Sequence, residues 1–152
     1  MLDIALVLIL ILTANGAPIL ARHLPVFAKL DQPLDLRWVL FDGQRLLGAS
    51  KTWRGLCAAG LATTGLAVLL GCDWYAGLLV ASLAMLGDCV SSFIKRRLGM
   101  PPGSMALGLD QVPEALLPAL YWQHYASLAW HEVFLVVGLF FILELVLSRL
   151  LF

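Results

Sequence analysis

Residues 74–97 read Trp-Tyr-Ala-Gly-Leu-Leu-Val-Ala-Ser-Leu-Ala-Met-Leu-Gly-Asp-Cys-Val-Ser-Ser-Phe-Ile-Lys-Arg-Arg, an apolar run that ends in three basic residues. A helix that crosses a membrane needs about 20 mainly apolar residues, so Trp74–Ile94 is predicted to be such a helix. An acid within the span, Asp88, costs about 2.5–3.5 kcal/mol even on insertion scales. The sequence therefore predicts that Asp88 faces a partner, a cavity or a ligand rather than lipid.

The rest of the chain repeats this apolar character, since 61% of its 152 residues are hydrophobic, 13% are charged and the mean hydropathy is +0.91. The other predicted spans are Leu2–Ala21, Leu56–Gly71, Ser104–Trp122 and His131–Leu147. These values exclude an ordinary soluble domain. We predict an all-α, polytopic membrane protein with five transmembrane helices, in which residues 1–152 form a single integral membrane domain.

The basic residues predict the orientation of these helices. All ten lie in three regions, namely the first loop, the segment after the third span and the segment after the fifth: Arg22, Lys29, Arg37, Arg45, Lys51, Arg54, Lys95, Arg96, Arg97 and Arg149. With five spans, these regions share one side of the membrane, and basic loops are cytoplasmic. We expect the N-terminus outside and the C-terminus in the cytoplasm. This orientation predicts an integral protein of the inner (plasma) membrane whose active site faces the cytoplasm.

Polar residues gather at the same cytoplasmic side. Asp88, Ser92 and Lys95 follow a spacing that puts them on one helix face. Asp110 and Glu114 are four residues apart in the inner half of the fourth predicted span. The remaining candidates are Asn15 in the first span and Asp42, Lys51 and Arg54 in the loop of residues 22–55, which we expect to contribute to the site.

These side chains favour phosphate chemistry at a membrane. Carboxylates such as Asp88 and Asp110 suit Mg²⁺, which prefers oxygen ligands and usually shares its coordination with substrate phosphates. Lysines and arginines suit phosphate oxygens, and apolar walls suit a lipid tail. We expect no nucleic-acid partner, and the sequence does not specify an oligomeric state.

Two groups of motifs resemble a known enzyme family. Residues 87–96 read Gly-Asp-x-x-x-Ser-x-x-Lys-Arg and are followed by Leu109-Asp110, a pattern similar to membrane CTP:phosphatidate cytidylyltransferases. The segments Lys-Thr-Trp-Arg-Gly at 51–55 and Ser-Phe-Ile-Lys-Arg-Arg at 92–97 are still more similar to the CDP-archaeol synthase family. This resemblance implies a reaction in which a lipid phosphate attacks the α-phosphorus of CTP and pyrophosphate is released.

The resemblance also implies roles for the candidate residues. Asp88 and Asp110 would hold Mg²⁺ and, with Lys95 and Arg96, form the catalytic set. The residues expected to bind nucleotide or phosphate are Asn15, Asp42, Lys51, Arg54, Ser92 and Arg97. CTP, a lipid phosphate and membrane lipids are the expected partners.

Two alternatives remain open on the sequence. One is a CDP-alcohol phosphotransferase, whose motif starts with Asp-Gly as at Asp42-Gly43, although Gln44-Arg45 does not continue it. The other is a non-catalytic or degenerate membrane relative that binds nucleotide or lipid. Consumption of CTP with release of pyrophosphate separates an enzyme from a binding protein, and dependence on a free alcohol identifies the phosphotransferase.

Overall fold

The computed structural model describes residues 1–24 and 29–151, with side chains described as far as residue 149. Five α-helices make up the described chain: α1 (Leu2–Ala21), α2 (Trp53–Leu69), α3 (Trp74–Arg97), α4 (Gln111–Ala126) and α5 (Trp130–Leu151). Within the described residues the only extended pairing consists of two isolated bridges in the first loop. The all-α prediction is confirmed.

Three of the helices, α1, α3 and α5, are long and apolar enough to cross a membrane, whereas α2 is apolar but has only 17 residues. This composition supports a membrane protein. Helix α1 packs against all four other helices. Its buried residues Val7, Leu10 and Ile11 form the centre of a core to which α4 adds Trp122 and α5 adds Phe140.

Helices α2 and α3 form an antiparallel hairpin with close backbone contact. The turn contains Gly71 in the left-handed region (φ 80°), which is the usual way to end a helix. A Cβ atom at Gly77 of α3 would lie 2.5 Å from the Ala67 side chain and 2.9 Å from the Thr63 carbonyl oxygen on α2. Small residues at this contact allow the two helices to pack closely.

The fourth helix differs from the prediction. It begins at Gln111 instead of Ser104, so Asp110 stands at the start of α4 and not inside a span. Gly103 and Gly108 have φ values of 81° and 80°, which a helix does not allow, and they hold the preceding residues in turns. The apolar residues of this stretch predicted a continuous helix, but the two glycines adopt a backbone conformation that prevents one.

Candidate active site

Two lysine–aspartate pairs lie at the end of the bundle where α1 and α3 end and α2 and α4 begin. Lys51 Nζ, from the first loop, lies 2.5 Å from the Asp88 carboxylate of α3. Lys95 Nζ, from the last turn of α3, lies 2.6 Å from Asp110 Oδ1 at the start of α4. Both predicted metal-binding acids are therefore mostly buried and each is neutralised by one lysine.

The position of Asp88 is fixed by direct contact between the backbones of α3 and α4. A Cβ atom at Gly87 would lie 2.3 Å from the Pro113 carbonyl oxygen and 2.7 Å from the Glu114 backbone nitrogen. Only glycine lets the helices approach this closely. Asp88 follows Gly87 directly, so this contact sets how far its carboxylate stands from α4.

Asp110 is held by the turn that precedes α4. Its Oδ2 accepts a hydrogen bond from the Ala106 backbone N–H at 2.8 Å. The next residue, Gln111, is buried and its Oε1 accepts from the Gly108 N–H at 2.8 Å. Lys95 Nζ also donates to the Ser104 carbonyl oxygen at 3.0 Å. Both side chains of the Lys95–Asp110 ion pair are therefore hydrogen-bonded to the backbone of the turn before α4.

The two arginines after Lys95 face different parts of the chain. The Arg96 side chain is buried beneath Gly48 and donates to the Pro101 carbonyl oxygen at 2.9 Å. It has no ion-pair partner among the described residues. Arg97 instead is half-buried and pairs with Asp42 at 2.9 Å. Arg96 is thus a buried cation under the first loop, and Arg97 ties that loop to α3.

A cavity of about 370 Å³ opens beside the Lys51–Asp88 pair. Arg54 lines it and forms an ion pair with Asp31 at 3.0 Å. A smaller adjoining cavity is lined by Lys51 and Asp88, and the two cavities share four wall residues: Pro18, Ser50, Thr52 and Gly55. The cavity lined by Arg54 therefore adjoins the one lined by Lys51 and Asp88.

Two predicted residues lie on helices at this end without lining either cavity. The Asn15 side-chain amide donates to the Ile11 carbonyl oxygen of the same helix at 3.1 Å. Ser92 is buried one turn beyond Asp88 on α3. The described geometry brings Lys51, Asp88 and Arg54 around the cavities. Seven other predicted residues do not line them, namely Asn15, Asp42, Ser92, Lys95, Arg96, Arg97 and Asp110.

Glu114 and Asp35 are buried acids to which the sequence assigned no role. The Glu114 carboxyl lies against that of Asp88. The sequence shows that Glu114 lies four residues after Asp110, but it does not show which helix the Glu114 side chain faces. The only indication in the sequence that Asp35 is buried is its position between two leucines.

Asp35 organises the first loop. Its carboxylate pairs with Arg45 and accepts hydrogen bonds from the backbone N–H groups of Arg37, Leu47 and Gly48 at 3.0–3.2 Å. Burial alone would raise the pKa of Asp35, but the Arg45 guanidinium and the three N–H groups outweigh it and lower the pKa to about 2. The charged form of Asp35 thus stabilises the segment that leads to Lys51.

We expect Asp35→Asn to loosen this loop, because the amide loses the ion pair and presents a donor to backbone N–H groups. The loss should be about 1–3 kcal/mol. Since the folded-state pKa is lowered from 3.8 to about 2, the contribution is present above pH 3.8 and is lost as the pH falls towards 2. Hydrogen exchange of the Leu47 and Gly48 amides measures this in both proteins. Equal protection in the variant and the parent protein at neutral pH would contradict the role of Asp35.

The donors at the site suit a magnesium ion that arrives with a phosphorylated substrate. Asp88 and Asp110 offer hard carboxylate oxygens, and Mg²⁺ is usually bound through one or two carboxylates together with substrate phosphates. Among the described residues, no three His, Cys, Asp or Glu side chains form a metal-binding group. Mg²⁺ held by these two carboxylates would take its remaining ligands from water and substrate phosphates.

Comparison with known proteins gives concordant results. The family model described as "CarS-like: CDP-archaeol synthase" matches residues 1–150. A CDP-archaeol synthase from Sulfurisphaera tokodaii is 47% identical over 107 residues, which cover 66% of this chain and 60% of the relative. One from Saccharolobus islandicus is 36% identical over 124 residues, which cover 78% of this chain and 75% of the relative.

A solved structure shares the fold. It is described as an intramembrane enzyme for archaeal membrane lipids biosynthesis, and it matches with a TM-score of 0.67 and 28% identity over 91% of this chain and 92% of that chain. Similarity in sequence and in fold therefore extends over the helices that build the site. On this evidence the chain belongs to the CDP-archaeol synthase family.

Proposed function

We propose that this protein is a CTP-dependent cytidylyltransferase that converts a membrane lipid phosphate into a CDP-activated lipid and releases pyrophosphate. The observation that carries the proposal is the Arg54-lined cavity, which adjoins the cavity of the Lys51–Asp88 pair at one end of apolar helices. Family membership supports the same reaction. A phosphotransferase and a non-catalytic relative are not favoured by these findings.

In the proposed mechanism, a lipid phosphate oxygen attacks the α-phosphorus of CTP, and the bond to the β-phosphate oxygen breaks as pyrophosphate leaves. The protein contributes orientation and charge neutralisation, which supply most of the catalysis in reactions of this type. We assign Lys51 and Lys95 to the reacting phosphates, since each stands beside an acid of the site. Arg96 adds a buried positive charge beneath the loop.

We assign the remaining proposed roles by position. Arg54 binds the triphosphate from the wall of the large cavity. Arg97 and Asp42 hold the first loop over the site through their ion pair. Asn15 and Ser92 are proposed to order the helices beneath the nucleotide, and residues 1–152 are proposed to act as one integral membrane domain.

We propose Mg²⁺ as the metal, held by Asp88 and Asp110 together with substrate phosphates. When bound, the ion neutralises triphosphate charge and favours departure of pyrophosphate. Each of the two carboxylates lies beside one lysine, Lys51 or Lys95. The same lysines would donate to the phosphate oxygens of a bound substrate.

We also propose that all five helices cross the plasma membrane with the N-terminus outside and the site facing the cytoplasm, because the basic residues then share one side. In inside-out vesicles, a membrane-impermeant label at a cysteine introduced by Arg149→Cys should react, and the Cys72 turn should be protected. Protection of residue 149 in inside-out vesicles, with labelling in intact cells, would reverse the orientation.

Arg54→Ala should mainly raise the KM for CTP, because the variant loses a cation of the cavity wall. Removing a charge-assisted hydrogen bond costs about 1.5–3 kcal/mol, which corresponds to about a tenfold to hundredfold change. Steady-state kinetics with CTP and lipid varied separately measure the effect, and Arg149→Ala, at the exposed end of α5, is the matched control. A raised KM for lipid with CTP unaffected would assign this cavity to the lipid phosphate.

The reaction itself is tested by incubating purified protein with CTP, Mg²⁺ and a panel of lipid phosphates that differ in linkage and chain type. We expect formation of a CDP-lipid that requires both substrates. The release of CMP from a preformed CDP-lipid in the presence of a free alcohol would identify a phosphotransferase. Binding of CTP without turnover of any lipid in the panel would identify a non-catalytic relative.

A further inference from the structure

The first loop contains a short hairpin whose apolar side chains are exposed outside the helix bundle. In this hairpin, residues 38–46, the Leu46 N–H donates to the Trp38 carbonyl oxygen and the Leu40 N–H donates to the Gln44 carbonyl oxygen, both at 2.9 Å. Trp38 is 66% exposed and Phe41, next to the tip, is 100% exposed. These exposures refer to the part of the chain that the structure describes.

The backbone before the hairpin adopts a conformation that is unfavourable for its residues. Leu36 and Arg37 have φ values of 46° and 66°, in the left-handed region where glycine or asparagine is the less costly choice. Asp35 holds this turn through the Arg37 N–H and, by its own carbonyl oxygen, through the Trp38 N–H. As a result, Leu36 is 73% exposed beside the hairpin.

The hairpin is attached to the end of a membrane-crossing helix. Arg97, in the last turn of α3, donates to the Arg45 carbonyl oxygen at 2.7 Å and pairs with Asp42 near the tip. Helix α3 is long and apolar enough to cross a membrane, and its last turn is basic. Such a turn lies at the membrane surface, so the hairpin bound to it lies there too.

We propose that the hairpin of residues 38–46 inserts Trp38 and Phe41 into the interfacial region of the protein's own membrane. Aromatic side chains concentrate at this level of a bilayer, and burying their apolar surface is favourable. Arg37 is exposed, adjoins Trp38 and has no ion-pair partner among the described residues, which suits the phosphate groups of an anionic lipid surface. The contact anchors the loop that carries Lys51 and leads into the first turn of α2, where Arg54 lies.

Fluorescence quenching in bilayers tests this contact. The full-length protein is reconstituted into bilayers of phosphatidylglycerol and phosphatidylcholine, either unmodified or brominated near the headgroup end of the acyl chain. The component that belongs to Trp38 is obtained as the difference between the parent protein and Trp38→Phe, a conservative change at an exposed site. We expect brominated lipid to quench this component and aqueous iodide to leave it largely unaffected.

A second probe and a control complete the experiment. Phe41→Trp should add a component that brominated lipid also quenches, whereas buried Trp122 should contribute emission that resists both quenchers. Quenching of the Trp38 and Phe41→Trp components by iodide alone would show that the hairpin faces water. Resistance of both components to both quenchers would show that protein covers the hairpin, either a second copy or another part of this chain, and would equally overturn the proposal.

Discussion

Replacing either acid of the site, by Asp88→Asn or Asp110→Asn, is expected to reduce turnover by at least about a hundredfold, the order of loss seen when one electrostatic contact to a transition state is removed. Each change removes an anionic oxygen proposed to bind Mg²⁺ and leaves a lysine without its partner. Initial rates of pyrophosphate release at saturating CTP and lipid measure the effect. Near-normal Mg²⁺-dependent activity in either variant would exclude that residue as a metal ligand.

The lysine partners make it possible to separate a catalytic role from a structural one. If Asp88 serves only to neutralise Lys51, the double variant Lys51→Met/Asp88→Asn should recover stability and reach the activity of Lys51→Met alone, since removal of both charges avoids an unpaired buried ion. If Asp88 binds the metal, the double variant should fold and remain far less active than Lys51→Met. Thermal unfolding in detergent, measured beside the kinetics, distinguishes these results.

Gly87→Ala is expected to produce the second large effect, on both stability and turnover. The new methyl group would lie 2.3 Å from the Pro113 carbonyl oxygen, and a backbone atom cannot yield as a flexible side chain can. Overpacking of this kind costs about 1–3 kcal/mol, occasionally more. Moving Asp88 by about 1 Å relative to α4 can also reduce the rate by about a hundredfold.

Gly138→Ala is the matched control for this substitution. It lies within α5, and a Cβ atom there would have no atom within 4 Å, so its unfolding temperature and rate should stay close to those of the parent protein. The rate should also be measured for Gly87→Ala at a temperature well below its unfolding midpoint. Full activity of folded Gly87→Ala would show that the separation of α3 and α4 does not control the site.

The sequence predicted the helical elements well because their signals are local. Leu2–Ala21 appears as a helix with the predicted bounds, since its apolar composition is continuous. The predicted start of α4 at Ser104 was wrong by seven residues, because the helix begins at Gln111. Gly103 and Gly108 have positive φ values, which keep the residues before Gln111 in turns. Apolar composition carries no information about this backbone conformation.

The members of the site were easier to predict than their partners. Asp88 was recognisable as an acid in an apolar segment, but its ion pair joins it to Lys51, 37 residues earlier in the chain. Helix periodicity placed Lys95 on the same face as Asp88, whereas its ion pair is with Asp110. Such pairings depend on how the loop and the helices pack, and no local spacing encodes them.

The fate of the phosphates of CTP defines the proposed reaction, and two parallel labels follow it. With CTP labelled at the α-phosphate, we expect label to appear in the lipid fraction as a CDP-lipid. With CTP labelled at the γ-phosphate, we expect one pyrophosphate to be released for each CDP-lipid formed, and both products should fall together in Asp88→Asn. Transfer of γ-label to lipid, or CTP breakdown without labelled lipid, would contradict the proposed reaction.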